Sequence, residues 1–181
     1  MVTASLPALA TGPINGIDLP PAAVNNPDVP LSVIRALPAV IQQNGTIRID
    51  PNIDPTLPII YPDGTPVPGQ RMAATEVSAG CDTWVYGLPG AWGAVANGTC
   101  AVAGSPGLSV YYNWETAPDI DSDACVQGTG WTSSGQTWYD LSCGWESTYT
   151  WAVPWGNVLA QPKFKAESIS PPLGTTAIVD Y

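Results

Sequence analysis

The chain contains no histidine, one phenylalanine, two methionines and only five basic residues. Without histidine, no Ser-His-Asp triad, Cys-His dyad or imidazole-ligated metal can be assembled. Phosphate-cradling loops of the G-x-x-x-x-G-K-S/T type are missing too. Fifteen acidic residues against the five basic ones give a formal charge of −10. Nucleic acid is therefore an excluded partner, because neutralising phosphates requires clustered Lys and Arg. Anionic membrane surfaces are disfavoured for the same reason. No stretch approaches 18 consecutive apolar residues, so no membrane span is expected. Charged residues make up only 11% and hydrophobic ones 45%, which is unlike the highly charged, apolar-poor composition of disordered chains.

Proline and glycine are abundant, at twenty and eighteen residues with no fixed period. They indicate turns and extended segments rather than long helices. The four cysteines, Cys81, Cys100, Cys125 and Cys143, have no C-x-x-C spacing and no histidine to join them in a zinc site. Two disulfides are expected, and with them an oxidising location: secreted, or on an exterior surface such as a cell envelope or virion. Of the three possible connectivities, Cys81–Cys100 with Cys125–Cys143 is favoured, since each bridge would staple one strand–turn–strand unit. Each would contribute about 3 kcal/mol in the chain-entropy picture. The opening "MVTASLPALA" ends in Ala-Leu-Ala, like a signal-peptide cleavage site, but lacks the basic and long apolar regions that precede one.

The composition changes near residue 75. Thirteen of the twenty prolines lie within 1–70, whereas all eight tryptophans lie between Trp84 and Trp155. No basic residue occurs between Arg71 and Lys163, although eight acidic ones do. Residues 1–74 accordingly read as an extended, apolar, Pro-rich arm with at most one short helix, because Pro38 interrupts the helical spacing of "LSVIRALPAVIQQ". Ile47 and Ile49 alternate with polar neighbours as a brief strand, and "PDGTP" marks a turn. Sixteen Ile, Val and Leu side chains in residues 17–62 must be covered, each worth about 1.5–3 kcal/mol when buried. The covering surface is either the chain's own second domain or another protein subunit, and strand addition to a subunit through residues 17–62 is the expected partner interaction.

Residues 75–181 read as an all-β, disulfide-stapled antiparallel sandwich or barrel. Segments 108–115, 135–146, 147–155 and 175–181 are rich in aromatic and β-branched residues. Asn97-Gly98, between two apolar runs, predicts a hairpin. Asn44-Gly-Thr and Asn97-Gly-Thr also fit the glycosylation sequon, but turn formation accounts for both.

For chemistry, carboxylates and tryptophans remain. Asp119, Asp121 and Asp123 alternate like the start of a calcium loop, but the glycine and the closing glutamate of such a loop are absent. A solvated acidic loop is the expectation there, with a calcium site as the alternative. Asp82, Glu115, Asp140 and Glu146 lie near tryptophans and could in principle supply a glycosidase pair. Among the tryptophans, Trp84, Trp92, Trp114 and Trp138 are expected in the core. Trp131, Trp145, Trp151 and Trp155 occupy turn-like contexts and form the candidate ligand platform. The leading expectation is a non-enzymatic assembly component of an exterior surface, needing no cofactor. The alternative is a glycan-binding or adhesive module.

Overall fold

The computed structural model describes residues 19–70, 80–118, 122–147 and 149–181. Its N-terminal part carries three short helices, α1 (Pro21–Asn25), α2 (Leu31–Ala36) and α3 (Ala39–Gln42), and two two-residue strands, β1 (Arg48–Ile49) and β2 (Ile59–Ile60). The remainder is β3 (Thr83–Pro89), β4 (Ala96–Asn97), β5 (Ala101–Ala103), β6 (Ser109–Thr116), β7 (Ala124–Thr132), β8 (Gly135–Gly144), β9 (Trp151–Pro154), β10 (Val158–Ala160), β11 (Lys163–Ser168) and β12 (Thr175–Asp180).

Proline shapes every helix. Each starts immediately after an extended proline, Pro20, Pro30 or Pro38. Leu37, which precedes Pro38, is held extended at ψ 159°, and this divides α2 from α3. The helices put Ala22, Ile34, Leu37 and Ile41 on one buried side.

The strands form two sheets. The larger runs β8-β7-β11-β3-β12-β6-β9, with β4 also paired to β11, and curls until its ends are nearly closed. Proximity of β7 and β9 marks the closure: a Cβ on Gly130 would lie 2.4 Å from the Pro154 carbonyl oxygen. Alternation explains the interior. Val85, Val110, Tyr112, Trp114, Val126, Leu141, Phe164, Ala166, Ala177 and Val179 point inward from successive strands. Phe164, Tyr112 and Tyr181 meet edge-on or tilted at 5.0–6.2 Å. The Tyr112 hydroxyl donates to the Thr129 carbonyl at 2.7 Å, and the Trp114 indole N–H donates to the Leu141 carbonyl at 2.7 Å. Burial, then the neighbouring Tyr181, raises the Tyr112 phenol well above its ordinary pKa.

The smaller sheet has the order β1-β10-β5-β2. Here the expectation of an extended arm is corrected. Residues 19–70 fold onto their own chain, with β1 parallel to β10 and β2 parallel to β5. The Asp50 N–H donates to the Leu159 carbonyl at 2.9 Å and the Ala101 N–H to the Pro58 carbonyl at 2.7 Å. Val29, Ile34, Leu37, Ile41, Ile47, Ile49, Ile53 and Ile59 form one cluster with Ala101, Ala103 and Leu159. Strand addition does bury these side chains, but the acceptor strands belong to the same molecule, so the segment no longer requires another subunit to cover it. Leu19 and Val40 stay exposed, and Ile17 lies outside the described residues.

Both disulfides pair as expected, Cys81 with Cys100 and Cys125 with Cys143. The second joins directly opposed residues of β7 and β8. Two further expectations change. The sheets are mixed rather than antiparallel, because β3 and β11, like the two N-terminal strands, pair in parallel. Asn97-Gly98 is not a hairpin: β4 pairs with β11 while β5 joins the other sheet. The Gly98 N–H donates to the Pro162 carbonyl at 2.7 Å, and Cys100 is held by its disulfide and by the Tyr181 hydroxyl. The Asn-Gly pair therefore serves as a corner between sheets.

Candidate functional site: an exposed face of the large sheet

The parity of β3 decides which aromatic residues meet solvent. Thr83, Val85 and Gly87 face inward, leaving Trp84, Tyr86 and Leu88 outward at 50, 65 and 56% exposure. At about 3.3 Å per residue, the three side chains span about 13 Å along one strand. The C-terminal end of β3 pairs with the end of β11, and Thr175 of β12 pairs with Gly87. Exposed Ile169 and Leu173, in the turn between β11 and β12, therefore lie at the same end of the sheet as Leu88. Pro171 and Pro172 stiffen that turn.

Across the sheet, Trp84 is registered with Ile178 of β12, and Ile178 with Glu115 of β6. Glu146 bridges Glu115. Asp180 is the next outward residue of β12. Burial first, then the charges of Asp82 and Glu115, pushes its carboxyl above the ordinary carboxylate pKa. The apolar row thus ends in a group of carboxylates. Asp140 is not part of it, lying on β8 at the opposite edge, where the Gln127 amide donates to it at 2.5 Å.

Toward that opposite edge, the Lys165 ammonium lies 4.8 Å from the Trp92 ring centre and 4.6 Å from that of Trp138. A lysine between two indoles fixes both rings by cation–π attraction. Trp138 is outward on β8 and Trp92 is half-buried.

The expected tryptophan platform is not brought together. Trp155 is fully buried, with its indole N–H donating to the Val158 carbonyl at 3.0 Å. Trp131 is also in the core, and its ring is covered by the Arg48 guanidinium 5.1 Å away. Trp151 is half-buried, and Trp145 alone of the four is well exposed. Of the four expected in the core, Trp114 is buried, whereas Trp84 and Trp138 stand on the outer face. Strand parity sorts Trp84, Trp114 and Trp138, which lie within β3, β6 and β8.

Asp119 and Asp121 lie outside the described residues. Asp123 is half-buried, and its N–H donates to the Ser170 hydroxyl at 3.0 Å. Among the described residues there is no group of three or more carboxylates or cysteines placed to hold a metal ion. No described helix is long and apolar enough to cross a membrane. No protein-family model matches the chain, and neither a curated protein nor a solved structure is significantly similar to it.

Sequence reasoning missed Tyr86, Leu88 and Lys165. A signal was present in "TWVYGLP", whose strict alternation separates Trp84, Tyr86 and Leu88 from Thr83, Val85 and Gly87.

Proposed function

We propose that this protein is a non-catalytic docking component of an exterior surface, which joins its assembly through the outward face of the large sheet. The observation that carries this reading is the exposed row Trp84, Tyr86 and Leu88, with exposed Ile169 and Leu173 at the same end of the sheet as Leu88. Rows of exposed aromatic and aliphatic side chains match the central part of protein–protein interfaces, where charges are left to the rim. The occupant is a different protein rather than a second copy. A net charge of −10 opposes self-association, and the carboxylates of Asp82, Glu115, Glu146 and Asp180 at one end favour a partner with a basic rim. The disulfides agree with an oxidising, exterior setting.

The test is co-fractionation of the tagged protein with cell-envelope or particle fractions of its source. The Tyr86→Asp, Leu88→Asp double variant should stay in the free fraction with an unchanged melting temperature, because both side chains are already in water. Co-sedimentation of the double variant at the wild-type level would overturn the proposal. Concentration-dependent dimerisation of the purified wild-type chain, lost in the variant, would assign the face to self-association instead.

A further inference from the structure

A second candidate lies away from this face, where the N-terminal segment meets the large sheet. An open cleft of about 660 Å³ runs between the turn after β2 and the β5–β6 connection. This volume falls in the range of small-molecule sites. One wall is Tyr61, Pro62 and Asp63, and the other includes Ser105, Ser109 and Tyr111 of β6.

Both walls are braced. The Tyr61 N–H donates to the Thr65 carbonyl at 2.8 Å and the Gly64 N–H to the Tyr61 carbonyl at 2.9 Å. Asp63 Oδ1 accepts from the Thr65 N–H at 3.0 Å and from its hydroxyl at 2.6 Å, which leaves Oδ2 free. Those two bonds also hold the Asp63 carboxyl below its ordinary pKa. In the opposite wall, Ser105-Pro-Gly-Leu108 closes a turn with the Leu108 N–H donating to Ser105 at 3.1 Å. Gly107 there adopts φ +76°, which a side chain would strain. The Leu108 carbonyl accepts from the backbone N–H groups of Trp155 and Gly156 at 2.9 Å, tying the turn to the chain just after β9. The cleft is therefore formed before any ligand arrives, which lowers the ordering cost of binding.

We infer that this cleft binds one or two units of a neutral oligosaccharide. Tyr111 is 54% exposed, and Tyr61, half-buried, lies on the other wall. Their flat rings suit the C–H faces of a pyranose, and Asp63 Oδ2 and the Ser105 and Ser109 hydroxyls suit its hydroxyls. Charge selects against the alternatives. No Lys, Arg or His lines the cleft, so a phosphate or uronate has no counter-charge. The N-terminal segment supplies one whole wall, so its docking in cis builds the site.

Cellotetraose, chitotetraose and maltotetraose, titrated separately into ¹⁵N-labelled full-length protein, test this. At least one should shift the Gly104, Ser105, Gly107 and Ser109 amides, with a Kd on the order of 1 mM or tighter. Tyr111→Ala should weaken that titration about tenfold, while Tyr111→Phe keeps it because the ring face is retained. Asp63→Asn tests the hydroxyl contact and should weaken it less. The Tyr86→Asp, Leu88→Asp variant should bind the sugar normally, which separates this site from the docking face. No shift with any of the three sugars, shifts unaffected by Tyr111→Ala, or saturation by choline with no response to sugar would each overturn the inference.

Discussion

The two hydrophobic clusters are built by opposite means. The cluster inside the large sheet is closed by long ladders, β7 with β8 and β3 with β12, and by disulfides at Cys81–Cys100 and Cys125–Cys143. Residues 19–70 have three helices of four to six residues and two strands of two, none of which is stable alone. Their order comes from what they lie on: β5 and β10, whose Ala101, Ala103 and Leu159 belong to the second cluster. A proline-rich segment can thus be well packed with little regular structure of its own, provided a sheet offers it unpaired edges.

That contrast can be broken most severely by truncation. Removing residues 1–70 bares both edges of the β5–β10 pair and the apolar side chains of Ala101, Ala103 and Leu159. The remaining chain should aggregate or lose cooperative thermal unfolding, measured by circular dichroism with light scattering. Full recovery as a soluble monomer with a sharp transition would show that the large sheet stands alone.

A core substitution in each region comes next. Phe164→Ala should cost about 3–5 kcal/mol and Ile34→Ala about 2–5 kcal/mol, since both side chains are fully buried. Denaturant unfolding followed by tryptophan fluorescence reports only residues 84–155, because no tryptophan lies elsewhere. If the regions unfold as one unit, Ile34→Ala will move that transition although no tryptophan is in its cluster.

A smaller effect centres on Asn26. Its amide donates to the Ala22 carbonyl at 2.9 Å and to the Ile47 carbonyl at 2.8 Å, and its carbonyl accepts from the Ile49 N–H at 2.7 Å. This one buried side chain ties α1 to β1. Asn26→Ala removes the side-chain partner of the Ile49 N–H and of the Ala22 and Ile47 carbonyls, and should lower the unfolding free energy by about 1–3 kcal/mol. Asn26→Asp should be destabilising as well, because two of the three partners require a donor.

Alkaline pH should act chiefly on the other cluster. Tyr112 and Tyr181 both have raised pKa values, caused first by burial. Such groups contribute stability that is fully present below the unfolded pKa of about 10 and is lost as pH rises toward their folded values. Stability should therefore fall above about pH 10, where the unfolded chain ionises and the folded one resists. Tyr112→Phe should flatten that fall, read from melting temperature against pH.

Much of this fold is legible in the sequence, for identifiable reasons. Cysteine spacing gives both bridges, Pro38 separates two helices, and Ile47 with Ile49 marks β1. β7 is harder to see because glycines interrupt it. A Cβ at Gly128 would meet Leu141, Phe164 and Tyr112 at 3.0–3.1 Å, so the barrel interior demands a residue that weakens the local strand signal. β11 was readable as Lys-Phe-Lys-Ala-Glu-Ser, a strict alternation. The candidate face is hard to see because a turn-like context is a poor guide to tryptophan exposure. Residue parity within β3, β6 and β8 decides it for Trp84, Trp114 and Trp138, and Trp131 and Trp155 are buried despite such contexts. Docking of the N-terminal segment in cis depends on β5 and β10, a distant pairing that no local pattern encodes.

Residues 19–70 complete the smaller sheet of their own chain, and the outer face of β3 is the proposed docking surface. Amide hydrogen exchange on a dilute sample, shown by light scattering to be monomeric, tests it most directly. The account predicts that the amides of Asp50, which donates to Leu159, and of Ala101, which donates to Pro58, exchange slowly in the monomer and independently of concentration. Rapid exchange at both positions, with the β3–β12 ladder still protected, would contradict it and return the segment to the role of an arm awaiting another subunit.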